Sequence, residues 1–381
     1  MRSKLKIILI FAAFLLALGG CSAEPASDTG GTNVVSWHDL TKVGDMPLEY
    51  AERFSAEYYE GGYTLITIND ADRYLAYDKE LPAGLPKGIK PIDISDNHIY
   101  LASSSAMDYF RELDALSQIA LTSTKASDWR LEEIGELVEK EKITYVGKYS
   151  SPDYEAVLDY GCNFALENTM IFHSPRTMEK LEELGIPVMV EYSSYEKEPL
   201  GRLEWIKLYG LLCGREAQAE QFFAKSLDEI KGIEIAENAE KKSVVFFYLT
   251  RSGSINVRNK GDYITRMIDI AGGEYFLREA VPGGSTAVNM QLEEFYAEAV
   301  NADILIYNGT IEGEIKDVDE LLSKNALFSD FKAVKEGKVY CAGSDMFQRS
   351  TGIADMIVEM NEIISGKERS KEEEHYLYKL E

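Results

Sequence analysis

The sequence predicts an α/β protein of two lobes, each a mostly parallel sheet covered by helices, with a single long connecting helix between them. Two observations carry this. From Tyr63 onward, short apolar runs rich in β-branched residues alternate with helix-periodic stretches. That is the rhythm of a parallel sheet covered on both faces. One long helical pattern, about Arg202 to Ile230, divides the chain into two stretches that keep this rhythm. At 381 residues the chain is long enough for more than one domain, and its 45% hydrophobic and 28% charged residues are those of a globular protein.

The elements follow in order. The chain opens with Arg2, Lys4 and Lys6, then the apolar run Ile7 to Leu18, then Gly19, Gly20 and Cys21, and residues 1–20 hold no acid. A basic start, a short apolar core and small residues read as an export signal, and the run is short for a membrane span. Leu18-Gly19-Gly20-Cys21 resembles the bacterial lipobox, so Cys21 is the expected lipid-bearing N-terminus of the mature chain. Residues 21–44 are expected to be a tether, small and polar as far as Ser36.

The first lobe is expected over residues 45–200. Its candidate strands are Thr64–Ile68, Ile99–Ala102, Ile143–Val146, Asn163–Glu167 and Pro187–Glu191. Its candidate helices are Ser105–Leu113, Leu131–Glu139 and Pro175–Leu184, the last with proline at its first position and Gly185 as its stop. The connecting helix is expected over residues 201–238. Trp205, Tyr209, Leu212, Ala219 and Phe223 share one face of it, and so stiff a link predicts small lobe closure. The second lobe, residues 239–366, begins with the near-continuous apolar run Ser243–Leu249, followed by strands at Asp303–Tyr307 and Lys338–Ala342. Tyr263–Ala271, Leu292–Val300 and Thr351–Ile364 read as its helices, and residues 367–381 as a charged, solvated tail.

Composition excludes several functions. Forty Lys and Arg against 65 Asp and Glu give a net charge of −25, which repels nucleic-acid phosphates and anionic lipid surfaces alike. Contact with a membrane is therefore expected only through the lipid anchor. Four histidines and four cysteines are too few for a disulfide framework or a bare zinc site. Cys162, Cys213 and Cys341 are expected to be buried free thiols. There is no Gly-x-Ser-x-Gly elbow, no phosphate-cradling glycine loop and no Gly-x-Gly-x-x-Gly after the first strand, so an enzyme is not expected.

Several stretches match a known pattern. PDYEAVLDYGCNFALENTMI resembles a first-lobe segment of solute-binding proteins that serve ATP-binding-cassette (ABC) importers of metal chelates, the class III periplasmic binding proteins. LEELGIPVMVE resembles the helix end before that family's next strand, EPLGRLEWIKLYGLLCGREAQAEQFF the start of its connecting helix, and QLEEFYAEAVNADILIYNG the second-lobe counterpart of the first segment. The resemblance spans roughly residues 45–365. It implies an exported, lipid-anchored binding protein whose partners are an ABC permease dimer with its ATPase, and whose ligand is a ferric siderophore, haem or a corrinoid. The resemblance does not choose among these ligands. It implies no resident cofactor and no metal held directly by the protein. It also implies that Glu155 and Glu293, one per lobe, dock on the permease. The alternative is a surface lipoprotein on the same fold, a sensor or adhesin without a transport role.

Parallel α/β lobes hold ligands at the carboxyl ends of their strands. The loops there hold aromatics, hydroxyls, amides and a few cations. The expected ligand contacts are Trp129, Lys148, Tyr149, Asn168, Met170, His173, Tyr192, Arg251 and Arg349, with the cations pairing acids of the ligand and the aromatic faces packing its body. His173 and Met170 share one loop and are residue types that ligate haem iron or corrin cobalt axially.

Overall fold

Alternating patterns at the start of the chain make a sheet of their own. The computed structural model describes residues 35–235, 240–277, 279, 286–367 and 375–381. The export signal and Cys21 lie outside the described residues. β1 (Lys42–Asp45), β2 (Phe54–Tyr59), β3 (Tyr63–Ile68) and β4 (Asp72–Tyr77) pair antiparallel in order, and β5 (Ile89–Asp93) lies parallel to β4. Gly61 and Gly62 turn β2 into β3 at φ of 85° and 88°, a backbone region that glycine enters without strain. The strand expected at Thr64–Ile68 therefore belongs to a separate, mainly antiparallel sheet, not to the parallel sheet of the first lobe. Residues 35–44, expected as the end of a tether, are also structured. Ser36 bridges to Ala83, Trp37–Asp39 make a 3-10 turn, and Lys42 begins β1.

The parallel sheet follows. β6 (Ile99–Leu101) leads into α1 (Met107–Glu112). Next come β7 (Ile119–Thr122), α2 (Glu132–Glu139) and β8 (Thr144–Tyr145), with β9 (Gly147–Lys148) and β10 (Ser151–Pro152) in a small hairpin. α3 (Tyr154–Asp159), β11 (Phe164–Glu167), α4 (Pro175–Glu183) and β12 (Val188–Val190) complete the lobe. The strand order is β12-β11-β6-β7-β8, all parallel. Asp153 caps α3 by accepting from the amides of Glu155 and Ala156.

The connector departs from expectation. In place of one helix over 201–238 it is three: α5 (Pro199–Glu204), α6 (Ile206–Leu212) and α7 (Glu216–Lys231). Gly214, at φ 67°, reverses the chain after α6. α6 and α7 then pack so closely that a Cβ on Gly210 would stand 2.6 Å from the Ala219 Cβ. The apolar face that reads as one long stripe belongs to two helices folded on each other, so the argument for small closure from a single stiff rod does not hold.

The second lobe centres on β13 (Ser243–Leu249), followed by β14 (Ile255–Arg258), α8 (Tyr263–Ile270), β15 (Glu274–Tyr275), β16 (Ala287–Met290) and α9 (Leu292–Ala299). β17 (Ile304–Asn308), α10 (Gly309–Glu312), α11 (Val318–Lys324), α12 (Lys332–Lys335), β18 (Val339–Ala342) and α13 (Ile353–Ser365) come next. The charged tail ends in a strand, β19 (Leu377–Lys379), antiparallel to β18, with Tyr376, Leu377 and Leu380 buried. The sheet order is β16-β14-β13-β17-β18-β19, with β15 also on β13. One continuous apolar core runs through both lobes and the connector, from Phe54, Phe110, Trp205 and Tyr209 to Phe247 and Phe295.

Candidate functional site

The lobes meet over a cavity of about 290 Å³. The carboxyl end of β6 feeds Ser105 and Tyr109 into its wall, the turn after β12 adds Ser193 and Ser194, and α5 adds Arg202. From the second lobe come Arg258 at the end of β14, Tyr263 and Met267 of α8, and Arg349 and Ser350 of the loop before α13. Tyr376, just before β19, closes one side.

Three guanidinium groups thus face one cavity in a protein of net charge −25. Their environments differ. Arg258 is held by both oxygens of Asp262, Nε and Nη2 each at 2.8 Å. Burial works against its charge, but the bidentate Asp262 outweighs that and raises its pKa. Arg349 reaches Asp345 at 3.5 Å and lies 3.9 Å above the Tyr376 ring. Arg202 donates only to carbonyls, through Nε to Glu196 at 3.1 Å and through Nη2 to Ser194, and stacks 3.5 Å over the Tyr263 ring. Among the described residues Arg202 has no acidic partner. Burial raises the Tyr263 pKa even though Arg202 and Arg258 pull it down, so the hydroxyl stays a neutral donor.

The second lobe reaches across the cleft beside the cavity. The Gln348 side chain accepts from the Arg130 amide at 2.7 Å and donates to the Asp128 carbonyl at 3.1 Å. The Ser350 hydroxyl donates to the Ser105 carbonyl at 2.8 Å. Thr351 donates its amide and its hydroxyl to the buried Asp108 carboxylate, at 2.8 and 2.6 Å.

Of the nine expected ligand contacts, this cavity takes Arg349. Trp129 is buried in the core between Asp128 and Arg130, the two residues that Gln348 spans. Lys148 is exposed on β9, and Tyr149 rests on the apolar cluster of the first lobe. Asn168 caps the 3-10 turn Thr169–His173, so its amide oxygen is engaged by the Met170 amide at 2.9 Å. Met170 and His173 are exposed on that turn, and Tyr192 packs against Phe172 and Tyr195. Arg251 is almost fully exposed and pairs with Glu312 at 2.9 Å. Glu155 and Glu293 are exposed in the first turns of α3 and α9.

Arg202, Arg258 and Tyr376 are the cavity residues that the loop rule misses. A charged residue in INVR, otherwise an alternating strand, and one inside an apolar helix face are signals that point to Arg258 and Arg202. Cys162, Cys213 and Cys341 are free thiols, with burial pushing their pKa values to about 12, 12 and 11, outside the reactive range. No group of three or more His, Cys, Asp or Glu side chains among the described residues is placed to hold a metal ion.

Two α/β lobes closing on a charged cavity define a ligand-binding protein. The chain belongs to the periplasmic binding protein family, whose sequence pattern matches residues 101–346. Family and fold neighbours alike bind substrates rather than transform them, and the family works outside the cytoplasm. Among known proteins it is similar to two uncharacterized lipoproteins of Methanocaldococcus jannaschii. One is 22% identical, over 91% of this chain and 89% of its own; the other is 24% identical, over 91% of each. Among solved structures it resembles the periplasmic haem-binding protein HutB of Vibrio cholerae, with a TM-score of 0.56 and 16% identity over 70% of this chain and 98% of that one. A periplasmic binding protein from Veillonella parvula gives a TM-score of 0.57 and 18% identity over 72% and 92%. At such identities the likeness is one of fold. No described helix is long and apolar enough to cross a membrane.

Proposed function

We propose that this chain is the substrate-binding component of an ABC importer, and that its ligand is an anionic iron chelate or a related metal complex. The observation that supports this most is the cavity between the lobes, where Arg202 faces the ligand space with only carbonyl partners beside Arg258 and Arg349. Arg202 is half-buried, and a partly desolvated cation without an acid is favoured when a ligand supplies the opposite charge. A chelate brings its own donor atoms to the metal, so the absence of a metal-binding cluster among the described residues is no obstacle. The cavity lies at the small end of ligand pockets, which run from roughly 300 to 1,000 Å³, and this favours a compact, oxygen-rich chelate over haem or a corrinoid.

In this reading Cys21 carries the lipid that keeps the protein at the outer face of the membrane, and Glu155 and Glu293 meet the permease. The purified protein is titrated with an iron(III) catecholate complex, iron(III) citrate, haem and cobalamin, following tryptophan fluorescence. At least one anionic iron(III) complex binds, and Arg202→Ala weakens it about tenfold or more, the cost of losing a charge-assisted partner in a desolvated site. If no anionic complex binds, or if Arg202→Ala leaves its affinity unchanged, the assignment is wrong.

A further inference from the structure

We propose that the chain just before the C-terminal strand is part of the binding site, and that Tyr376 there is a positioning residue that holds Arg349 at the cavity. The inference rests on the cavity being the ligand site, as argued above. It concerns chain that lies beyond residues 101–346, the stretch that the family pattern matches.

The Arg349 guanidinium lies 3.9 Å above the Tyr376 ring, and both residues line the cavity. An arginine side chain has many rotamers. A ring under its plane removes most of them, and because the guanidinium donors lie in that plane, stacking leaves them directed sideways, where a ligand oxygen is met. The backbone that carries the ring is itself fixed from several sides. The Tyr376 amide donates to Glu359 Oε2 of α13 at 2.8 Å, the Leu377 amide to the same oxygen at 3.2 Å, and His375 Nδ1 lies 2.9 Å from Glu359 Oε1. The Tyr376 carbonyl accepts from the Gly343 amide at 3.0 Å, and β19 pairs with β18 beyond it. A Cβ on Gly352 would overlap the Tyr376 hydroxyl, so the loop that carries Arg349 is shaped to admit this ring. A solvated tail needs none of these features. Together they place one aromatic face under one cation of the site.

The test has one arm that needs no ligand. Intact protein, Tyr376→Phe, Tyr376→Ala and Gly352→Ala are treated briefly with phenylglyoxal, and modification is located by peptide mass. Arg349 is expected to react faster in Tyr376→Ala and Gly352→Ala than in the intact chain, with Tyr376→Phe like the intact chain and the exposed Arg251 equal in all four as the internal control. Equal Arg349 rates in the intact and Tyr376→Ala chains overturn the proposal. The second arm measures affinity for an iron(III) catecholate complex. Tyr376→Ala is expected to weaken binding roughly tenfold, the scale of a lost desolvated cation–π partner, while Tyr376→Phe restores it. Adding Tyr376→Ala to Arg349→Ala is expected to cost nothing further, and losses that add overturn the proposal. If Arg349→Ala has no effect on the complex while Arg349 is still unmasked in Tyr376→Ala, the positioning role stands and the anionic-ligand reading falls.

Discussion

Glu167 ends β11 with its side chain wholly buried, and neither carboxylate oxygen has a hydrogen-bond partner among the described residues. The buried Tyr100 hydroxyl, also without a partner there, adds to its surroundings. Burial pushes the Glu167 pKa to about 8, against 4.5 for an ordinary glutamate. The folded chain therefore keeps a proton that the unfolded chain gives up. Stability is full below about pH 4.5 and is lost progressively as pH rises towards 8. Glu167→Gln, which mimics the neutral acid, is expected to remove that slope and to stabilise the protein by on the order of 3 kcal/mol at pH 8. Thermal unfolding of both chains from pH 5 to 9 checks this, and parallel curves would rule the assignment out. Residue roles were the least legible part of the sequence. Arg349, expected from its place in a loop after a strand, lies in the wall of the cavity. Arg202 and Arg258 sit inside a helix and a strand, where periodicity accounts for apolar residues and is silent about which cation faces a cavity formed only when two lobes meet. His173 and Met170 have the right chemistry, but the 3-10 turn leaves both exposed.

Elements were far more legible, because each depends on local pattern. The run at Ser243–Leu249 is β13 from end to end, and Pro175 with Gly185 bounds α4. The failures are tertiary. Within residues 42–93 only Thr64–Ile68 reads as a strand, and it was expected in the parallel sheet, since the pairing partner is not a local property. The mainly antiparallel sheet that it joins is fastened by two buried carboxylates. Glu204 of α5 accepts from the amides of Glu49, Tyr50 and Ala51 at 2.8–3.1 Å and pairs with Lys207 at 3.1 Å. Glu196 accepts from the amides of Glu52 and Arg53 and from the Trp205 indole. Five successive amides of the loop before β2 are thereby satisfied by the segment that carries Arg202. Glu204→Gln leaves one oxygen and turns an amide NH₂ toward these donors. It is expected to cost about 2–4 kcal/mol. Hydrogen exchange at residues 49–51 should quicken more than at β13. A variant with unchanged melting temperature and unchanged exchange would show that the sheet is held elsewhere.

At the scale of the whole molecule, the two lobes are already stitched through Asp108, Gln348 and Ser350, and one core runs beneath them. In the function proposed above, ligand binding and permease docking use different surfaces. The cavity lies between the lobes, whereas Glu155 and Glu293 are exposed at the starts of α3 and α9 and line no part of it. An acid in a first helical turn is favoured by the helix dipole by about 0.3–1 kcal/mol, and that alone would account for either residue. Their matched placement, one per lobe and each on the helix that precedes a central strand, is what the dipole leaves unexplained. A chain of net charge −25 is steered toward a basic partner surface, and in the function proposed above two acids on separate lobes would meet two subunits of a permease at once. Reversing both charges, Glu155→Arg with Glu293→Arg, is expected to leave chelate affinity in solution unchanged, because neither side chain reaches the cavity, and to abolish uptake in cells that depend on this carrier. The purified double variant is also expected to lose binding to the permease in detergent, with each single reversal intermediate. Uptake that survives the double reversal removes the docking role, and a loss of chelate affinity in solution would show that the substitutions disturb the fold instead.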